Sequence, residues 1–370
     1  MENKTPKSKV GIIYLVWSAE PEQYLIDALQ GVADQTYPKE LIELIIIYNS
    51  HKPDEPSQAP YIRQQLEVFK DKLPHVTFLP QEKNLGFSGG NNEGIKAAME
   101  IGCTYVFLHN ADAYLGANCI EVMARALDED KQIGTAQPLI LLHPETDLIN
   151  TAGNAFHFLG LGYSNLYRYD KKTVTLPKVL DVGYVSGAGT LMRVDLLKEY
   201  GLWDEDYFMY HEDTDYSLRL KYMGYRTVLI SEAEFFHKYQ FKKSIQKYYW
   251  MERNRYAILL IYFRWPTLLV LLPGIILSEI GLILFSIPGG WFKQRLEAYK
   301  YWTKVSNWKI WLKKRAYIQK NRKISDRQIF KDAVSGIHFQ EAGFQGPLHK
   351  LANGGMWLYY WVIVRTLIWW

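Results

Sequence analysis

Three acids fall within four positions in FMYHEDTDYSLRL (208–220): Glu212, Asp213 and Asp215, directly behind Phe208 and Tyr210. Carboxylates this close repel one another, so they should have separate tasks. If residues 212–222 are helical, Glu212 and Asp215 lie near the helix start, where the dipole favours acids. Asp215 stands four residues before Arg219, the spacing of an intrahelical ion pair. Asp213 is left without such a task and is the candidate general base. The neighbouring aromatics would wall the turn and raise that acid's pKa by excluding water.

Other residue types with chemical potential lie at intervals along the chain. EKNLGFSGGNNEGI (82–95) places Gly86, Gly89 and Gly90 where backbone can approach a ligand closely. Asn84, Asn91 and Asn92 supply amides there; the plainer reading is a tight loop. YVFLHNADAYLG (105–116) ends an apolar run with Asn110 and Asp112. One carboxylate at such a place suits Mg²⁺ or Mn²⁺, which bind few protein oxygens and complete their shell with phosphate; the alternative is an Asp that opens a turn. His237, Ser244 and Arg253 follow in EFFHKYQFKKSIQKYYWMERNRY.

The elements that would position these groups alternate in type. VGIIYLV (10–16), LIELIIIY (41–48), VTFLP (76–80) and YVFLHN (105–110) read as strands, and PEQYLIDALQGVADQ (21–35), SQAPYIRQQLEVFKDKL (57–73) and GGNNEGIKAAMEIG (89–102) as helices. Such alternation predicts an α/β fold, a mainly parallel sheet with helices on both faces. Ligands of such sheets bind at the carboxyl ends of the strands, just after Tyr48, Leu79 and His109 here. The N-terminal apolar run is too short for a secretory leader. The two cysteines, Cys103 and Cys119, form no CxxC and imply neither a disulfide framework nor a zinc site.

The character changes after Arg264. LLVLLPGIILSEIGLILFSI (268–287) carries one charge, Glu279. Twenty residues at about 1.5 Å each reach across about 30 Å of hydrocarbon; the plainer alternative is a buried core helix. Residues 291–331 hold 13 Lys and Arg against Glu297 and Asp326, although the whole chain is only +4. With Trp and Tyr interleaved, this stretch fits an anionic membrane surface rather than nucleic acid. The final MWLYYWVIVRTLIWW (356–370) suits an interfacial helix. By the positive-inside tendency the basic stretch should be cytoplasmic, on the same side as the α/β domain. The expectation is therefore a hairpin or re-entrant element over 266–290, on the cytoplasmic face of the cell membrane.

In joint order these stretches resemble the inverting family-2 glycosyltransferases of the GT-A fold, in particular the rhamnosyltransferase-like branch of bacterial cell-surface polysaccharide synthesis. The likeness runs from Val10 to Tyr256. It implies a GT-A domain over 1–256; the apolar and basic residues beyond it make 257–370 a membrane-associated helical region. It implies that Asn49, Ser50, Asn84, Gly86, Asn91 and Asn92 line a nucleotide-sugar pocket, with Arg253 meeting the diphosphate. Asp112 would hold Mn²⁺ or Mg²⁺, helped by His237. Asp213 would be the catalytic base, with Glu212 beside it, and Trp203 and Asp204 would face the acceptor. The implied donor is dTDP-rhamnose or a UDP-sugar, and the implied acceptor is a polyprenyl-linked glycan at the membrane. Two departures stand out: Tyr48 replaces an aspartate that commonly meets the base and could stack on it, and NAD replaces the more common NPD at 110–112. A nucleotidyltransferase is disfavoured because WSAEPEQ (17–23) lacks the basic, Gly-rich loop that chemistry wants. An impaired, scaffold-like relative would have Tyr48 as its support.

Overall fold

The computed structural model describes residues 8–17, 20–49, 56–239, 245–336 and 347–370. Its strands are β1 (Val10–Trp17), β2 (Ile42–Asn49), β3 (His75–Pro80), β4 (Tyr105–Asn110), β5 (Ala113–Leu115), β6 (Ile133–Leu142), β7 (Ile149–Thr151), β8 (Asn154–Phe156), β9 (Gly162–Ser164), β10 (Val179–Asp181), β11 (Gly189–Arg193) and β12 (Arg226–His237). The helices are α1 (Glu22–Ala33), α2 (Ala59–Phe69), α3 (Gly86–Glu100), α4 (Cys119–Glu129), α5 (Val194–Tyr200), α6 (Glu212–Tyr222), α7 (Lys247–Tyr262), α8 (Trp265–Ser286), α9 (Phe292–Trp302), α10 (Val305–Asn321), α11 (Asp326–Asp332) and α12 (Pro347–Tyr359).

The chain forms two compact units. The first comprises Met1–Gly153, Leu166–Tyr216 and Arg226–Tyr239; the second comprises Asn154–Asn165, Ser217–Tyr225 and Gln240–Trp370. α7 belongs to the second unit, where it packs against α9 and α10.

The first unit is built on one mixed sheet in the order β10-β12-β6-β11-β4-β1-β2-β3. The last four strands in that order run parallel, as unbroken apolar runs covered on both faces do. Every residue of β2 is buried, as are seven of the eight in β1. β11 then runs antiparallel to β4 and β6, and β12 rejoins parallel to β6. The mainly parallel α/β sheet matches the expectation. Its turning point lies at β4 and β11, where Gly189 stands opposite His109.

The second unit is helical apart from the small β8–β9 pair. α8 is one continuous helix of 22 residues that runs through Pro273, so the hairpin expected over 266–290 does not form. The reversal comes after it: Gly290, at φ 74°, turns the chain into α9. Proline removes one backbone donor but leaves the remaining ladder to carry the helix.

Candidate active site

Glu212, Asp213 and Asp215 make up the first turn of α6. The chain reaches them through a distorted loop in which Phe208, Tyr210 and His211 take φ of 63°, 64° and 69°. Each left-handed non-glycine residue costs on the order of 1–3 kcal/mol, and such strain persists only where the surroundings over-determine it. Here the surroundings are specific. Phe87 N–H donates to Phe208 O at 3.0 Å. Gly86 has φ 73°, and a Cβ on it would lie 2.6 Å from the Phe208 ring. Phe208 is thus a wedge that sets the loop, whereas Tyr210, expected to wall it, is 40% exposed.

The three acids have different surroundings. Asp213 Oδ2 accepts from Gly187 N–H at 3.1 Å, while Oδ1 accepts from Thr214 N–H at 2.6 Å and from its hydroxyl at 3.3 Å. Burial raises its pKa, and those three donors pull it back by favouring the carboxylate. Glu212 has less help: one backbone hydrogen bond favours its carboxylate, and its Oε2 is buried without a hydrogen-bond partner. Burial, and then the charge of Asp213, push the Glu212 pKa well above the ordinary range. Of the two, Asp213 is the one whose hydrogen bonds favour the carboxylate, and Glu212 the one whose burial favours the protonated form. Asp215 accepts from the buried Tyr207 hydroxyl at 3.3 Å, and its own N–H donates to His211 O at 2.7 Å.

A chain of bonds leads from Asp213 to the second candidate group. Gly187, the donor to Asp213, precedes Ala188, whose carbonyl accepts from Asn110 N–H at 3.0 Å. The Asn110 amide donates to Asp112 Oδ1 at 3.1 Å, and His237 Nε2 lies 3.1 Å from that same oxygen. The last residue of β12 is His237, opposite Ala113 of β5, which brings it to the end of β4. Its Nδ1 faces Asn150 Oδ1 at 2.9 Å. With Nδ1–H donating to that oxygen, the Nε2 lone pair and the Asp112 carboxylate face each other, as two acceptors do around a proton or a cation. No third His, Cys, Asp or Glu joins them among the described residues. Two protein ligands are the usual number for Mg²⁺ or Mn²⁺ that shares phosphate oxygens, so the residues present fit such an ion.

Comparison with known proteins places the chain in a family. The model of "Glycosyltransferase like family 2" matches residues 11–256, about two thirds of the chain. The chain belongs to that family. It is 27% identical over 187 residues to the N-acetylglucosaminyl-diphospho-decaprenol L-rhamnosyltransferase of Mycobacterium tuberculosis, covering 45% of this chain and 60% of that protein. It is 24% identical over 215 residues to the poly-beta-1,6-N-acetyl-D-glucosamine synthase of Staphylococcus epidermidis, covering 58% and 47%. The chain thus spans roughly half of the curated relatives it matches. Among solved structures, GalNAc-T7 with UDP, GalNAc and Mn²⁺ aligns with a TM-score of 0.55 at 14% identity, over 70% of this chain and 48% of that one. S. aureus TarS 1–349 aligns with a TM-score of 0.50 at 15% identity, over 97% and 90%. These structural likenesses support the GT-A fold.

The remaining expected contacts of this family-2 chain are distributed unevenly. Asn49 and Asn84 are struts: the Asn49 amide donates to Asn84 Oδ1 at 3.1 Å and Gly86 O at 3.0 Å, and its oxygen accepts from Leu85 N–H at 2.8 Å. They shape the turn into α3 at the carboxyl end of β2. Asn91 donates to Phe87 O at 3.0 Å. Asn92 donates to Trp203 O and to Glu205, and accepts from Trp203 N–H. Both are buried, so a ligand would have to displace those bonds. Ser50 lies outside the described residues. Tyr48, offered as a stacking partner for a base, is packed into the core at 4% exposure, and its oxygen accepts from Gln58 N–H. Trp203 is also buried, stacked on Tyr216, with its ring behind the acid-bearing loop, while Asp204 accepts from Asp206 N–H. Arg253 belongs to the second unit. It is buried there, 4.5 Å from the Trp250 ring centroid and 5.0 Å from that of Tyr301.

Three residues of the site escaped sequence reasoning. Gly187 gave a faint signal in the Gly-rich VSGAG run, and Lys238 only its place beside His237. Lys238 N–H donates to Asp112 O at 2.8 Å, and its ammonium pairs with Asp27 over the Tyr24 ring. Asn150 gave no signal.

Proposed function

We propose that this chain is an inverting glycosyltransferase that moves a sugar from a nucleotide-diphosphate donor to a membrane-associated acceptor. What carries the reading is Asp213, a carboxyl that accepts from three donors at the end of a strained loop, with the more deeply buried Glu212 beside it. A base so placed can take the acceptor hydroxyl's proton while the oxygen attacks the anomeric carbon. One displacement by one carboxylate base inverts that centre. The proton ends on Asp213, and the nucleoside diphosphate leaves from the opposite face. Glu212, when protonated, adds no second negative charge and can donate a hydrogen bond to the acceptor.

Asp112 and His237 would hold Mn²⁺ or Mg²⁺, and such an ion supplies charge stabilisation to a departing diphosphate. The UDP and Mn²⁺ in the GalNAc-T7 structure support that assignment. A rhamnosyl donor such as dTDP-rhamnose, and a polyprenyl-linked acceptor, follow the mycobacterial relative's name; a UDP-sugar is the alternative donor. The exposed Leu269, Leu277 and Leu284 of α8 and the exposed cations of α10 support a seat on the cytoplasmic face of an anionic membrane. A thermal-shift panel of dTDP-, UDP- and GDP-sugars with Mn²⁺, followed by transfer assays with Asp213→Asn, tests the reading. Donor binding with loss of transfer is expected. Near-normal transfer by the variant would falsify the role of Asp213.

A further inference from the structure

A cavity of about 530 Å³ opens at the start of α8, lined by Arg264, Trp265 and Pro266 and by Leu312, Arg315 and Gln319 of α10. Its lining holds two arginines and no acid. Arg315 is 7% exposed. One of its nitrogens, Nη1, donates to Leu260 O and to Phe263 O, and its guanidinium lies 4.1 Å from the Trp265 ring centroid. These partners are neutral, and no carboxylate among the described residues forms an ion pair with it. Burial pushes its pKa below the usual arginine value, only partly offset by Asp326. That acid is already engaged: Arg322, the Thr267 hydroxyl and Arg264 N–H all donate to it. A buried cation without a counter-charge is costly, and an anion in the adjoining cavity removes that cost.

Arg264 adds a second charge. Its side chain is exposed and has no partner among the described residues. The cavity lies at the N-terminal turn of α8, where the helix dipole favours an anion. Beyond the cavity the helix presents apolar surface: Trp265 is 54% exposed, Leu269 71% and Leu272 46%. A free anion would use the arginines and leave that apolar surface in water. A lipid uses both.

We propose that this cavity binds the phosphate of a lipid headgroup, with the lipid's hydrocarbon lying along the exposed side of α8. The proposal rests on the membrane seat argued above, and adds a defined headgroup site to it.

The test uses the full chain and vesicles of phosphatidylcholine with and without phosphatidylglycerol. A diffuse contribution from one surface cation is about 1 kcal/mol, or roughly fivefold in affinity. Lys309→Gln, on the exposed side of α10, should therefore cost no more than about fivefold. Arg264→Gln should cost at least about tenfold, and brominated lipid should quench Trp fluorescence less in that variant. Arg315→Gln should do the same, and Arg315→Lys provides a milder variant if the first fails to fold. Equal losses for Arg264→Gln and Lys309→Gln would mean diffuse attraction and overturn the site while leaving the membrane seat standing. Saturable, Arg264-dependent binding of inorganic pyrophosphate with no effect on vesicle affinity would assign the cavity to a soluble phosphate and overturn the lipid. No vesicle binding by the unaltered chain would remove both the site and the seat.

Discussion

In the second unit Glu252 and Glu279 meet Arg255 and Arg295, two against two. In the first, Glu212 and Asp213 share a buried corner, and no cation among the described residues pairs with either. Arg295 is fully enclosed; its nitrogens reach Glu252 at 3.1 Å, Glu279, and the Tyr299 hydroxyl at 2.8 Å. Arg255 bridges the same two glutamates. This network joins α7, α8 and α9, and explains how an otherwise apolar helix tolerates Glu279. Its charges cancel, so it can fix a packing and has no free charge to offer a substrate. The acids of α6 do not cancel. Their difference in tendency to hold a proton comes from unequal hydrogen bonding, the pattern by which acid and base roles are assigned. Burial alone does not mark a functional charge; the state of its partners does.

Removing the unbalanced charge should have the largest effect. Asp213→Asn should lower transfer about 10²–10⁴-fold, the usual range for a positioned general base, while far-UV circular dichroism and donor binding stay as in the unaltered chain. Removing the balanced charge should act on folding instead. Arg295→Met leaves Glu252 and Glu279 short of a partner, and breaking such a buried network costs about 3–5 kcal/mol. Chemical denaturation would report it as loss of the helical unit's transition. If both variants lost activity and stability together, the contrast between the two clusters would fail.

A smaller effect separates the loop from the acids. Gly86→Ala forces a Cβ into Phe208 at a φ of 73°. We expect a loss of about 1–3 kcal/mol from strain and displacement, seen in the melting temperature. Turnover should fall through the shifted loop, and the pH dependence of what remains should be unchanged. An altered acid limb would mean that Gly86 acts on the carboxylates directly.

The parallel half of the sheet was legible because β1, β2 and β4 are largely apolar runs, broken in β2 by Glu43, and the helices between them carry helical spacing. Asp213 was legible by elimination, since Glu212 and Asp215 fit a helix start. Its donors were not: Gly187 comes from a turn 26 residues away, and a backbone N–H leaves no trace in sequence. The strain at Phe208, Tyr210 and His211 was hidden for a related reason, because none of them is a glycine and left-handed backbone is ordinarily signalled by one. Asn49 and Asn84 were named by type as ligands, yet in the fold their amides brace the turn before α3. The continuity of α8 through Pro273 was not legible, because the break was expected from keeping both flanking regions on one side of a membrane, and a single proline removes only one donor from the ladder.

The smallest effect tests the proton assigned to Glu212. Its pKa in the folded chain lies well above the ordinary value. The folded state therefore keeps a proton that the unfolded chain releases near pH 4.5. Stability from this group is complete below that ordinary pKa and is lost as pH rises toward the raised one. Glutamine is uncharged in both states and carries no such dependence. Glu212→Gln should match the unaltered chain at pH 4 and exceed it in melting temperature at pH 8. Because the charge of Asp213 is the second cause of the shift, Asp213→Asn should narrow the pH 8 difference made by adding Glu212→Gln. A gap at pH 8 that stayed the same in the Asp213→Asn background would show that burial alone holds the proton, and that the two carboxylates do not divide the charge between them.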